Sequence, residues 1–359
     1  MRIFKYILLS LSLIFVLATV IPLIPTKWWW VKILVFPRVQ ITVILGVLLT
    51  LWLIFFFRRH WSSYLLSLLV LCALGYQFYR IHPYTPLAKK QTSPSGPSTQ
   101  NANISAITAN VYMKNHRAEA ILEQIYRLEP DLVLLLETDR WWQKRMDTLT
   151  SKYVYKLGQP LDNTYGMLLY SCLPLENAEI RYLMEDSIPS IHARVRLRNG
   201  SAVKIYCLHP RPPVPPESKT STDRDAELLL VGKMVKQSEE PAIVMGDLND
   251  VAWSYTTRLF LRTSQMLDPR IGRGFFNTFS AKNPLMRWSL DHVFHTEAFQ
   301  LNQIRVLPDI NSDHFPIYFS LSYEPDHQEQ QEPLAPLDPQ KQDTINETIE
   351  KGLKNDESK

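Results

Sequence analysis

The chain has 359 residues, 46% of them hydrophobic and 21% charged, with 11 glycines and three cysteines. These numbers exclude a largely disordered chain, a collagen-like repeat and a disulfide-rich scaffold, and they leave room for one large domain plus further segments. The net charge of +4 is unevenly placed: residues 1–84 carry eight Lys/Arg and no acid, residues 324–359 carry ten acids and four Lys, and 85–323 is left near +2. Nothing in that central part suggests the concentrated basic face of a nucleic-acid binder.

Residues 3–25, 39–57 and 62–79 are apolar runs close to the ~20 residues a helix needs to cross a bilayer. Trp28, Trp29, Trp30 and Trp61 fall between them, where indole rings favour the headgroup zone. The first run is too long for a signal-peptide core, and no small-residue cleavage site follows. Residues 1–84 are therefore expected to form three transmembrane helices in the inner (cytoplasmic) membrane, with the lipid bilayer as a partner. The Lys/Arg count does not favour an inside N-terminus. A short tail bearing Arg2 and Lys5 and a tight Arg58–Arg59 hairpin favour it, which places the rest of the chain outside the cytoplasm. Residues 85–103 read as a Pro/Ser/Asn-rich linker reaching about 25 Å.

Residues 104–323 read as an α/β domain. Strands are expected at 104–111, 132–137, 152–157, 166–171, 191–197, 202–208, 242–246, 276–280, 290–295, 302–307 and 316–323. Helices are expected at 117–128, where Ala118, Ile121, Leu122, Ile125 and Leu128 share a face, and at 222–237 and 254–262. So many strands with so few helices point to two packed sheets flanked by helices rather than an alternating parallel fold. Residues 324–359, rich in Gln, Glu, Pro and Asp, read as a disordered tail with a nascent helix near 344–354.

Six strand ends carry polar groups: Asn110, Glu137, His209, Asp247 with Asn249, Asp291 with His292, and Asp313 with His314. An Asp after a strand is usually a turn former. Six such ends in one domain instead suggest a shared pocket. Carboxylate and amide oxygens are hard ligands suited to Mg²⁺ or Mn²⁺, and a His oriented by an Asp is suited to acid–base work on a phosphate ester.

In order, the segments TAN (108–110), PDLVLLLE (130–137), YGMLLYSCLPL (165–175), IYCLHPRPP (205–213), GDLND (246–250), SLDHVF (289–294) and SDHFPI (312–317) resemble the endonuclease/exonuclease/phosphatase superfamily. The apolar runs, the HPRPP segment, Trp253 and NTF at 277–279 are similar to a bacterial membrane-anchored branch. The resemblance implies a four-layer αββα sandwich of two mainly antiparallel sheets. It implies Glu137 as the main metal carboxylate, Asn110 beside it as ligand or supporting partner, and Asp313 as a metal-site or structural acid. Asp247 would activate water, Asn249 hold a phosphoryl oxygen, His314 paired with Asp291 contact the phosphate, and His209 assist the phosphate or leaving group. His292 and Trp253 read as structural, Arg224 as phosphate-facing or simply exposed, and Cys172 and Cys207 as thiols whose pairing stays open. Leu248 stands where Phe is common, and LLLETD replaces the LQE of many nucleases. A near-neutral domain tethered to a bilayer suggests a membrane-associated phosphate ester or pyrophosphate as substrate. A tethered nuclease and an inactive binding domain are the alternatives.

Overall fold

The computed structural model describes residues 2–57, 61–96, 102–215, 217–326 and 331–356. The Arg58–Arg59 hairpin used to argue orientation lies outside them. The chain opens with helix α1 (Arg2–Val20), short α2 (Trp29–Lys32), α3 (Arg38–Phe56) and α4 (Trp61–Ile81). Pro22, which has no N–H to donate, follows the end of α1, and Pro37 caps α3 by accepting from Ile41 N. Buried residues recur every three or four positions, as Ile41, Leu45, Leu48, Trp52 and Phe56 do on α3, and interlock in one apolar cluster. The outward faces are equally apolar: only 17–28% of the most hydrophobic stretch of each long helix is buried. In water that would leave a costly exposed surface. All three long helices are long and apolar enough to cross a membrane. One polar level links them, where Arg38 Nη1 donates to Gln77 Oε1 (2.7 Å) and Gln77 Nε2 to Thr19 Oγ1 (3.0 Å).

The remainder is a sandwich of two sheets. The first contains β1 (Asn103–Asn110), β2 (Leu132–Leu136), β3 (Tyr155–Gln159), β4 (Met167–Ser171), β10 (Phe299–Val306) and β11 (Ile317–Tyr323), ordered β10-β11-β1-β2-β4-β3. The second contains β5 (Leu175–Tyr182), β6 (Pro189–Arg196), β7 (Ala202–Leu208), β8 (Ala242–Asp247) and β9 (Asp291–His295), in sequence order. Only β1–β2 and β7–β8 pair in parallel, so the sheets are mainly antiparallel, as expected. Alternate side chains divide the work. On β1, Ile104 and Ala106 face the other sheet, while Ile107 and Ala109 face helices α5 (Glu119–Leu128) and α6 (Arg140–Met146). On β8, Ile243 and Met245 point inward, while Ala242 and Val244 meet α7 (Thr222–Ser238) and α8 (Tyr255–Ser264). Burial on both faces explains why LVLLL in β2 is apolar without alternation.

Several expectations change. Residues 276–280 form no strand; Phe279 makes isolated bridges to Trp288 and His314 instead. Strand β5 and helix α6 were not legible: β5 is a polar edge strand, and α6 is seven residues capped by Asp139 Oδ1, which accepts from Trp142 N. The described part of 85–103 is no loose tether. Gln91 Oε1 accepts from Asp268 N (2.9 Å), Thr92 Oγ1 meets His295 Nε2 (3.0 Å), and Ser93 and Ser95 bond the Leu301 backbone. Nor is the tail unstructured where described: helix α9 (Pro339–Asp356) lies on α7, with Ile345 and Ile349 packed among Leu229 and Leu259. All three cysteines are free thiols.

The helical bundle is fixed to the sandwich. Tyr84 donates to Ala252 O (2.7 Å), Arg80 Nη2 to Trp253 O (2.7 Å), and the wholly buried Trp253 donates from Nε1 to Val35 O (2.8 Å). Trp253 is thus a packing residue, as its sequence context suggested, but it packs between the sandwich and the bundle.

Candidate active site

The ends of β1, β2, β7 and β8, the start of β9 and the turn before β11 converge on one pole. Parallel pairing of β1 with β2 and of β7 with β8 brings carboxyl ends together, which puts Asn110 beside Glu137 and His209 beside Asp247. Local backbone aims the side chains. Glu137 (φ 58°) and Asn249 (φ 49°) adopt left-handed conformations as the strands break. Gly246 has φ 141°, and a Cβ there would lie 2.0 Å from Leu208 O, so the GD turn requires glycine.

Asn110 Nδ2 donates to Glu137 Oε1 (2.8 Å) and Asp247 Oδ2 (3.2 Å), while its Oδ1 accepts from Tyr112 N. Asn110 therefore links two carboxylates as a donor. In this orientation its Oδ1 faces the Tyr112 backbone N–H. His314 Nδ1 bonds Asp291 Oδ2 (2.8 Å), and its Nε2 lies 3.5 Å from Asp247 Oδ2. His209 Nε2 lies 3.9 Å from the same oxygen, and its buried Nδ1 has no partner. Asn249 N donates to Asp247 Oδ1 (2.9 Å), but its amide donates to Pro210 O (3.0 Å). Its side chain is thereby tied to the HPRPP segment. Asp313 is close enough to Glu137 to act on its charge. All eight expected residues thus sit at this pole.

Asp247, Asp291 and His314 present oxygen and nitrogen atoms within 4.8 Å of one another. Burial pushes the Glu137 carboxyl up; Asn110 opposes this, and Asp313 adds to it. Burial likewise pushes Asp247 up, opposed by His314. Burial disfavours the His314 cation, yet Asp247 and Asp291 outweigh it and raise that imidazole. His209 is lowered to about 4 by burial and by His314, which keeps it neutral. A buried pole with more acid than it can neutralise, built from oxygen donors and retaining an unpartnered Asp291 Oδ1, fits a hard divalent cation.

The contacts of the supporting residues were not legible in the sequence. Ser312 Oγ donates to Asn110 O (2.8 Å) and accepts from His314 N (3.1 Å), coupling two strand ends. Thr278 Oγ1 accepts from Asp291 N, and the Phe279 ring lies 5.0 Å from the His314 ring. The SDH and NTF motifs hold these residues, but only the fold shows what they touch. Arg224 is neither exposed nor free for phosphate. It is 2% exposed, donates from Nη1 to Asn249 O (2.7 Å), and pairs with Asp225 and Asp250. His292 is structural, as expected, held between Arg270 Nη2 and Asp250 O.

Residues 107–314 match the model of the Endonuclease/Exonuclease/phosphatase family, more than half of the chain. The chain belongs to that family. It is accordingly a hydrolase of phosphoric esters, in a family that is generally divalent-metal dependent. No curated protein matches it. Among solved structures, a family member from Bacteroides vulgatus is 19% identical, with TM-score 0.51, covering 62% of this chain and 99% of that one. A mannosyl-6-phosphatase from Bacteroides thetaiotaomicron is 17% identical (TM-score 0.50; 61% and 100%), and a humanised TDP2 from D. rerio is 16% identical (TM-score 0.50; 62% and 99%). At such identities the likeness is one of fold.

Proposed function

We propose that this family member is a membrane-anchored phosphoesterase that hydrolyses a membrane-associated phosphate ester or pyrophosphate. The observation that carries this reading is the path of the 279–288 segment. Phe279 packs on His314 in the site, and the same segment runs out to Leu285 and Met286, 79% and 49% exposed. There Gln40 Nε2, two residues into apolar helix α3, donates to Leu285 O (2.9 Å). One wall of the pole therefore ends at the level where α3 enters its apolar length. A lipid-borne phosphate would need to travel little to reach it.

Glu137 and Asp313 would hold Mg²⁺ or Mn²⁺. Such an ion supplies electrophilic activation of the phosphoryl group and charge stabilisation at the leaving oxygen. Asp247, flanked by His314, orients the attacking water and takes its proton. His314, steadied by Asp291, donates to the phosphate. His209 stays neutral and presents Nε2 on the Asp247 side of the site. Nucleic acid is the less favoured substrate, because residues 85–323 carry only about +2. The proposed topology is three spans with the catalytic domain outside the cytoplasm; a reporter fused after residue 323 and active only in the cytoplasm would overturn it.

The deciding experiment compares kcat/KM of the full-length protein on mixed micelles carrying phospholipid or polyprenyl pyrophosphate with that on linear duplex DNA, in one metal and salt. Turnover of a lipid-borne phosphate is expected to exceed that of DNA. Robust DNA cleavage with no lipid-phosphate turnover would make the protein a tethered nuclease.

A further inference from the structure

A cavity of about 470 Å³ lies between the helical bundle and the sandwich, separate from the catalytic residues. Lys27, Lys32, Arg38 and Arg80 line its bundle side, and Arg224 and Asp250 its sandwich side. The charges do not balance. Asp225 is taken up by Lys27 (3.0 Å), Lys32 (3.6 Å) and Arg224 (2.8 Å), and Asp250 lies 3.4 Å from Arg224. Among the described residues, neither Arg38 nor Arg80 pairs with a carboxylate. Arg38 donates to the neutral Gln77, Arg80 to Tyr76 Oη and the Trp253 carbonyl, and the Nε of each is buried without a partner. A neighbouring groove shares Arg80 and adds Arg258, Arg262 and Lys341.

A buried guanidinium such as Arg38, with part-buried Arg80 beside it and no counter-charge, is costly unless an anion joins them. The rest of the lining says what kind of anion. Pro22, Leu23 and Ile24 form an apolar wall where α1 ends, and Leu23 and Ile24 are 54% and 56% exposed. The cavity wall thus runs into the apolar outer face of the bundle. Its volume is in the range of small-molecule sites.

We propose that this cavity binds the phosphate of an anionic phospholipid, whose acyl chains leave past Leu23 and Ile24. The site is distinct from the catalytic pole but linked to it, since Arg224 lines the cavity and donates to the backbone of Asn249. A bound headgroup fastens the bundle to the sandwich and steadies the GDLND turn. This inference rests on the reading that α1, α3 and α4 span a membrane.

The test uses the full-length chain, first by fractionation and then, after detergent extraction and delipidation, by native mass spectrometry with phosphatidylglycerol or phosphatidylcholine. Wild-type protein is expected in the membrane fraction and to retain phosphatidylglycerol about tenfold more than phosphatidylcholine, consistent with charge-assisted hydrogen bonds. Arg80→Gln and Lys27→Gln should lose that preference, and Asp247→Asn should keep it. Should the basic-residue variants misfold, the wild type alone still decides: phosphatidylglycerol, but not inorganic phosphate or glycerol phosphate, should raise its melting temperature above that in phosphatidylcholine. Membrane extraction without any preference for phosphatidylglycerol would overturn the lipid site and leave the membrane reading standing. Equal stabilisation by soluble phosphate would replace the lipid with a free anion. Recovery of the chain in the soluble fraction would overturn the membrane reading and this inference with it.

Discussion

The catalytic pole and the seam between bundle and sandwich bury charge of opposite sign. At the pole, Glu137, Asp247, Asp291 and Asp313 gather around the His314 imidazole and raise its affinity for a proton, and burial raises the carboxyls of Glu137 and Asp247. At the seam, Arg38, Arg80, Lys27 and Lys32 face fewer acids than they need. In each place the surplus is what the proposed ligand would meet: a cation at the acidic pole and a phosphate at the basic seam. Arg224 connects the two, buried with Asp225 and Asp250 and hydrogen-bonded to the Asn249 carbonyl.

The sharpest way to break this contrast is to remove the cation. Excess EDTA should abolish phosphoesterase activity, and added Mg²⁺ or Mn²⁺ should restore it; full activity in EDTA would show that the acidic surplus has another purpose. Next in size, Asp247→Asn and His314→Ala should each lower kcat by at least ~10² while circular dichroism and melting stay native-like. Wild-type turnover in either folded variant would remove the proton-handling roles.

On the seam side the effect should fall on stability instead. Trp253→Ala deletes a wholly buried indole and its bond to Val35 O, and should cost about 3–5 kcal/mol in denaturant unfolding of the full-length protein. Tyr84→Phe, which loses the bond to Ala252 O, should cost about 1 kcal/mol. A Trp253→Ala variant as stable as wild type would mean the bundle and sandwich are not fastened there.

The smallest expected effect concerns a buried acid on α7, one helical turn from Arg224. Burial, with Glu185 and Asp223 nearby, raises Glu227 on α7 to about 8, above its ordinary value of 4.5. The folded state therefore keeps a proton that the unfolded chain loses, and stability falls as pH rises from 4.5 through 8. Glu227→Gln should leave the melting temperature nearly unchanged near pH 5 and raise it by several degrees near pH 9. An equal shift at both pH values would point to a packing effect.

Much of this was legible because chemistry-bearing residues follow apolar strands. The β1, β2, β7, β8 and β9 ends each announced a polar group, and both the sandwich and the three apolar helices follow from hydrophobic pattern. What escaped had weak patterns. Strand β5 is polar because it lies at a sheet edge. Helix α9 buries only a thin stripe around Ile345 and Ile349, too slight to separate its acidic sequence from a solvated tail. The linker looked loose because Ser, Pro and Asn serve open chain and backbone-paired chain alike, and its contacts with Leu301, Asp268 and His295 reveal the second case.

By itself the sequence determined the family, the composition of the acidic pole and the presence of three apolar helices. Local order and hydrophobic spacing encode these directly. Tertiary structure decided which atom each polar group presents: the nitrogen of Asn110 toward two carboxylates, the guanidinium of Arg224 toward a backbone carbonyl, and Asp291 rather than a neighbour toward His314. It also decided that Lys27 and Arg80, 53 positions apart in the chain, share one cavity with Asp250. Such pairings depend on sheet register and on how the bundle docks. Burial then sets their energy, because a charge removed from water must be met by whatever the fold has brought beside it.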